Sequence, residues 1–378
     1  MSQGDLEERP TRAEIRLGAL RRNFGRAREL AGADVKVMAV VKADAYGHGM
    51  IRVARELLAE GAGYLGVAII EEAVELRRAG IEAPILVLGS PPDEQLPLFA
   101  RYHVDLTVGS ADKARAAYAA AKTEGASIRV HAKIDTGMGR IGVDWKEVDS
   151  FAEELADLVT RGGLEIIGAF SHLATADCDL EFAREQEARF RVALKALASK
   201  GIEPPLPHLE NSAALVAMPE ARFGMVRPGI FVYGYEPSPW RKIGLEPVMR
   251  LVSKISFVKG LRAGEGVSYG RTWKAPADTT IATVPIGYGD GYSRALSNKA
   301  SMWTGGGAHP VRGRVCMDQT MLDLGPDSSS REGDDVIVFG VKGNGGIPGE
   351  SLCEILGTIP YELTCAVGGR VPRVYVED

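Results

Sequence analysis

The chain has 378 residues and a formal charge of −5, too long for one ordinary small domain and without the basic footprint of a nucleic-acid or anionic-membrane binder. Apolar residues make up 45% and charged residues 25%, the balance of a soluble globular protein, and no apolar run approaches the ~20 residues of a spanning helix. The cysteines (Cys178, Cys316, Cys353, Cys365) lie far apart with no Cys-x-x-Cys, and the histidines form no His-Glu-x-x-His, so neither a disulfide framework nor a metal site is expected.

The opening MSQGDLEERPTR lacks an apolar core, which argues against a secretory leader and for reduced thiols in the cytoplasm. Val37 to Lys42 then reads as a buried strand. Met50 to Ala62 has helical spacing, with Ile51, Ala54, Leu57 and Leu58 on one face. The alternation continues through strands at Tyr64–Ala68, Ile85–Leu88, Val104–Val108, Ile128–Ile134 and Ile166–Ser171. Helical stretches at Glu71–Ala79, Ala111–Lys122, Trp145–Thr160 and Glu181–Ser199 fall between or after them. His208–Glu210 and Met225–Arg227 are weaker seventh and eighth strands. Roughly eight β-then-α units in about 230 residues match a (β/α)8 TIM barrel. A doubly wound sheet is the competing architecture, but no Gly-x-Gly-x-x-Gly turn follows the first strand. From about residue 243 the texture changes to short strands separated by Gly and Pro clusters such as "TGGGAHP" and "KGNGGIPG". The expected organisation is a barrel over 12–242 and a mainly β domain over 243–378.

Barrel enzymes build their sites at the carboxyl ends of the strands. Unusual polar residues fall there: Lys42, then Lys133 and Asp135 before Gly137-Met138-Gly139-Arg140, then Ser171-His172, Glu210-Asn211-Ser212, and Arg227-Pro228-Gly229. Each has an ordinary structural reading alone, as a strand-end lysine, a helix cap or a surface ion pair. Five at one edge favour a site. A lysine in an apolar pocket has its charged form disfavoured and becomes an amine nucleophile able to form a Schiff base, which makes Lys42 the leading candidate. Asn211-Ser212 is a helix-cap signature and also a natural phosphate site, and Gly229-Ile230 adds backbone N–H groups. Arg140, in a glycine-rich loop, suits carboxylate or phosphate recognition. Tyr269 in "GVSYGRT" and Tyr288 in "GYGDGY" sit in turns, where most tyrosines pack with a wet hydroxyl. His48 reads as a helix-start residue.

The set "AVVKADAYGHG", "KIDTGMGRIG", "SHLATAD", "ENSAAL", "MVRPGI", "GVSYGRT", "GRVCMDQ" and "IPYELTC", in this order, resembles the alanine racemase family over nearly the whole chain. The start departs from the family pattern, with Arg12 and Arg16 where an aromatic and an Asp are common. The resemblance implies a homodimer of barrel-plus-β-domain subunits carrying pyridoxal 5′-phosphate (PLP) and interconverting L- and D-alanine for peptidoglycan. It implies Lys42 as the Schiff-base lysine and one catalytic base. Tyr269 is implied as the second base, acting in the partner's site, with His172 as its hydrogen-bond partner near the cofactor. Tyr46, Ser212, Gly229, Ile230 and Tyr361, with the Asn211 cap beside them, match cofactor-phosphate ligands. Arg227 matches the arginine facing the pyridine nitrogen, and Arg140 one that holds the cofactor and the substrate carboxylate. Lys133 matches a lysine often carbamylated, while Met317, Asp318 and Tyr288 match residues near the substrate or its entry. Related alternatives are a barrel decarboxylase with the same cofactor lysine, a non-catalytic PLP carrier lacking the second domain, and a cofactor-free Schiff-base aldolase.

Overall fold

A computed structural model of the chain describes residues 9–341 and 345–378. The chain divides into two compact units. One comprises Arg21–Ala45 and Met50–Leu245. The other comprises the segment up to Leu20, Tyr46–Gly49 and Glu246–Asp378.

The first unit is the expected barrel. Its strands are β1 (Lys36–Val40), β2 (Tyr64–Val67), β3 (Ile85–Val87), β4 (Asp105–Val108), β5 (Ile128–Asp135), β6 (Leu164–Phe170), β7 (Leu206–His208) and β8 (Met225–Val226). Neighbours pair in parallel around the ring, and the pairings of β8 with β1 (Met225 to Lys36) and β4 with β5 (Leu106 to Val130) close it. β1, β2 and β3 are nearly continuous apolar runs because both faces are covered, one by helices and one by the barrel interior. Inside, Met38, Tyr64, Leu86, Phe170 and Met225 pack into one cluster, each no more than 3% exposed. Burial of each such side chain contributes about 1.5–3 kcal/mol. The connecting helices bury one stripe each. Val148–Thr160, for example, buries Val148, Phe151, Ala152, Leu155 and Leu158 at helical spacing.

β1 ends at Val40 rather than at Lys42, although Val41 still donates its N–H to Gly66 O at 2.9 Å. Beyond Lys42 the backbone turns left-handed. Ala43, Asp44, Ala45 and Tyr46 have φ of +52°, +53°, +54° and +54°, and Gly47 has +82°. Left-handed helical geometry costs an L-residue roughly 1–2 kcal/mol each, so outside contacts must hold it. The Ala43 N–H donates to Glu72 Oε1 at 2.6 Å, and Asp44 Oδ1 accepts from Met50 N at 2.7 Å, tying the turn to the start of the next helix.

The second unit contains a six-stranded sheet, and the expected start of the barrel at residue 12 is corrected by it. Arg12–Arg16 pairs antiparallel with Met249–Lys254 and parallel with Arg373–Val376. Ala13 and Ile15 are fully buried, while Glu14 takes ion pairs from Arg12 and Arg250. Tyr46–Gly49 also packs with this unit. A Cβ on Gly47 would lie 2.3 Å from Thr364 O, and one on Gly49 would lie 1.9 Å from the Tyr375 hydroxyl oxygen. A three-stranded sheet (Phe257–Leu261, Thr279–Val284, Thr320–Gly325) completes the unit, with a short hairpin of Gly266–Val267 and Trp273–Lys274 beside it.

Candidate active site

In the barrel, the polar residues singled out by sequence do collect at the carboxyl ends of the strands. Lys42 is half-buried at the end of β1, not enclosed in an apolar pocket. Lys133, inside β5, is 2% exposed, with Nζ 4.7 Å from the centre of the Phe170 ring. Burial, then the Arg227 charge, pulls its amine well below the usual lysine range, against some support from Asp135. Asp135 organises the loop beyond β5 by accepting from the N–H groups of Gly137, Met138 and Gly139. That leaves Arg140 exposed at the loop's end.

Arg227 is 4% exposed. It donates to Ser171 O at 2.9 Å, Leu209 O at 3.0 Å and His208 Nδ1 at 2.9 Å, with His172 Nδ1 at 3.4 Å. Burial lowers it to about 10, with Glu210 opposing the shift, so it stays charged at neutral pH. His172 is driven well below its usual range by burial and then by Arg227, Lys133, Arg140 and Lys42. Four basic side chains therefore surround one imidazole, and that imidazole is neutral.

Ser212 is buried, and its Oγ accepts from the N–H of Gly229 at 2.8 Å and of Phe231 at 3.4 Å. Its hydroxyl hydrogen remains to be donated. The expectation that the following helix offers free N–H groups is not met, because Asn211 Oδ1 accepts from Ala213 N and Ala214 N. Asn211 is a cap whose Nδ2 is also given to Leu173 O. Ile230 lies in the turn after Gly229, 1% exposed. Glu210 is fully buried, and burial raises its carboxyl.

The donor set fits a phosphorylated, carboxylate-binding cofactor site. Lys42, Arg140 and Arg227 outnumber the nearby Asp135 and Glu210, and the Ser212 hydroxyl adds a neutral donor. Anions relieve such an excess of positive charge.

In the second unit, Tyr46 and Tyr361 face each other with ring centres 5.7 Å apart. Burial and then Tyr361 push the Tyr46 hydroxyl far up, so it stays a neutral donor. Tyr269 tips the loop of the Gly266–Lys274 hairpin and is 71% exposed. The loop is held from beneath. Ser268, at φ +62°, donates its hydroxyl to Arg314 O at 2.6 Å. Tyr269 and Met317, itself 52% exposed, line a cavity of about 640 Å³ with Phe257, Val267 and Gln319. Tyr288 N and Gly289 N clamp the Met317 loop by donating to Cys316 O and Met317 O at 3.1 and 2.9 Å. Asp318 is paired with Arg370 at 2.6 Å. His48 lies just before the helix Met50–Ala59 and is fully buried.

Tyr64, Asp105, His131 and His208 form a buried polar chain inside the barrel that sequence reasoning did not single out. Their signal was available: each is a polar residue in or at the edge of a buried strand.

The family description "Alanine racemase, N-terminal domain" matches residues 15–237, and "Alanine racemase, C-terminal domain" matches 248–375. The chain is 43% identical to an alanine racemase of Desulfovibrio desulfuricans over 98% of this chain and 99% of that one. Among solved structures it is similar to the alanine racemase of Streptomyces lavendulae, with a TM-score of 0.94, 35% identity and 98% coverage of both chains. It is similar also to the alanine racemase of Bacillus anthracis with bound L-Ala-P, with a TM-score of 0.91, 36% identity, and coverage of 98% of this chain and 96% of that one.

Proposed function

The chain belongs to the alanine racemase family, which uses pyridoxal 5′-phosphate, and we propose that its residues divide the interconversion of L- and D-alanine between two bases. The bound cofactor supplies an electron-withdrawing ring that accepts charge from the substrate's α-carbon when its proton leaves. Lys42 Nζ is the point of cofactor attachment, and once released it holds or returns the α-proton on one face. Tyr269 Oη does the same on the other face, in the site of a partner subunit. Free lysine and tyrosine titrate near 10.4 and 10, so each works best when neighbours bring it closer to the working pH. Arg227 supplies positive charge on the lysine side.

Ser212, Tyr46 and Tyr361 hydroxyls bind the phosphate, with backbone from Gly229 and Ile230 shaping the cradle and Asn211 holding the helix beside it. Arg140 takes the substrate carboxylate through its planar fork. Lys133, neutral by burial, is in the form that attacks carbon dioxide. A nitrogen–carbon bond forms, one proton goes to solvent, and the resulting carbamate is an anion able to orient Arg140. Arg227 has no proton to accept from the pyridine nitrogen and disfavours its protonation. It thereby limits charge delocalisation and side reactions such as transamination. His172 acts as a neutral hydrogen-bond partner.

Met317 from the facing subunit narrows the pocket toward alanine, since a hydrophobic pocket gains only ~1–3 kcal/mol per methylene and must exclude larger side chains sterically. The assembly is a homodimer with shared sites, placed in the cytoplasm and supplying D-alanine for peptidoglycan. Free cysteines and the family resemblance support this placement.

The observation that carries the reading is the convergence of Lys42, Lys133, Arg140 and Arg227 around His172. Borohydride reduction of the purified holoenzyme and peptide mass mapping are expected to place the cofactor on Lys42. A label on another lysine, or none, overturns the assignment. Lys42→Ala is expected to lose at least about 10⁴-fold in kcat.

A further inference from the structure

Five successive polar groups run through the apolar barrel interior as one hydrogen-bonded chain. Arg227 Nη1 lies 2.9 Å from His208 Nδ1, and His208 Nε2 lies 2.9 Å from His131 Nδ1. His131 Nε2 lies 3.3 Å from Asp105 Oδ2, which also accepts from the Tyr64 hydroxyl. Arg129, near the start of β5, pairs its Nε with Asp105 Oδ1 at 3.1 Å. The chain therefore connects the carboxyl edge of the barrel with its amino-terminal floor. Asp105, His131 and His208 are each 0% exposed.

The hydrogens on this chain are determined by elimination. A guanidinium has donors only, so His208 Nδ1 must accept from Arg227. Burial keeps both imidazoles neutral. The single hydrogen of His208 is then on Nε2 and points at His131 Nδ1, which must accept it. The hydrogen of His131 is left on Nε2, facing the carboxylate. Every link points the same way, from Arg227 to Asp105. Gly168 supplies independent support, since a Cβ there would lie 2.4 Å from His131 Nδ1. Only glycine at 168 lets that atom sit where His208 reaches it.

We propose that Asp105, His131 and His208 are positioning residues for the reaction, forming a one-way donor chain that fixes the Arg227 guanidinium, with Tyr64 and Arg129 orienting the carboxylate that ends it. The proposal rests on the reading that Arg227 faces the pyridine nitrogen. The anionic end polarises each link in turn, so His208 Nδ1 becomes a stronger acceptor and Arg227 is held more firmly. A change at the barrel floor then reaches the cofactor ring without any contact with it.

The first test is independent of the cofactor reading. Nitrogen-15 NMR of histidine-labelled holoenzyme is expected to find His131 and His208 both neutral with the hydrogen on Nε2. A hydrogen on Nδ1 of either ring, or a doubly protonated ring, overturns the chain. The second test uses Asp105→Asn, which keeps an acceptor but removes the charge, and Tyr64→Phe should Asp105→Asn fail to fold. The expected result is a shifted cofactor absorbance band and a kcat lowered about tenfold, with KM for alanine little changed, the size of effect seen when a group that orients a ligand is removed. A folded variant with a lower Tm but unchanged absorbance and kcat would mean the chain is structural only. Arg227→Lys separates the two failures. If it moves the absorbance while Asp105→Asn and Tyr64→Phe do not, the positioning proposal falls alone. If it leaves the absorbance unchanged, the placement of Arg227 against the ring falls, and the proposal's link to the cofactor falls with it.

Discussion

The two units carry their chemistry in opposite ways. In the barrel the functional candidates are mostly sunk and cross-braced: Arg227 and Lys133 are 4% and 2% exposed, and Arg227 reaches four neighbouring groups. In the β unit, Tyr269 and Met317 are 71% and 52% exposed, while the loops beneath them are rigidly tied. A buried cation network needs its own chain to complete it, because desolvated charge is costly unless satisfied. An exposed tyrosine on a braced loop is finished on its own side and unfinished on the other. The contrast fits the shared site proposed above, with one part built in and one part presented.

The comparison is tested hardest by separating the two faces of the reaction. Tyr269→Phe removes a base and leaves the ring, so α-proton exchange in deuterium oxide is expected to fall by about 10²–10⁴-fold for one enantiomer and far less for the other. Equal losses for L- and D-alanine would mean the exposed tyrosine is not a face-specific base. A smaller effect probes the bracing of the presented loop. Gly287→Ala puts a Cβ 2.2 Å from Cys316 O and 2.4 Å from Met317 O, so the clamp must shift. A loss of about 1–3 kcal/mol in urea unfolding is expected, with KM rising as Met317 moves. The smallest effect concerns the barrel. His131 and His208 are held below their usual range by burial, whereas in the unfolded chain they titrate near 6.5. As pH falls below that value the unfolded state binds protons the folded state does not, so stability drops toward acid by up to about 1.4 kcal/mol per pH unit per histidine. Urea midpoints between pH 7 and 5 are expected to show a shallower slope in His131→Gln.

Much of this was legible in the sequence because it is local. An apolar run ending near Lys42 or Arg227 announces both a strand and its functional edge, and some eight strand-like segments separated by helical spacing announce a closed ring. What escaped depends on residues distant in the chain. Arg12–Arg16 looks like a lead-in to the barrel until its partners, Met249–Lys254 and Arg373–Val376, are folded beside it. Ala43-Asp44-Ala45-Tyr46 has no glycine to signal a left-handed turn, and one of its braces is Glu72, 29 residues on from Ala43. Asp105, His131 and His208 each look like an isolated polar residue in or at the end of a strand. Only barrel closure brings them into register. The Asn211 cap is legible from its residue type, but its occupation of the Ala213 and Ala214 amides depends on its rotamer rather than on its identity.

The claim that one unit presents what the other unit of a second subunit receives has a direct test. Lys42→Ala and Tyr269→Ala proteins are each purified inactive, dissociated, mixed in equal amounts and reassembled. If Tyr269 serves the partner's Lys42, half of the dimers are mixed and each has one intact site, so about a quarter of wild-type racemase activity returns. If both bases act within one chain, the mixture stays as inactive as its components, and the account of a shared site is wrong.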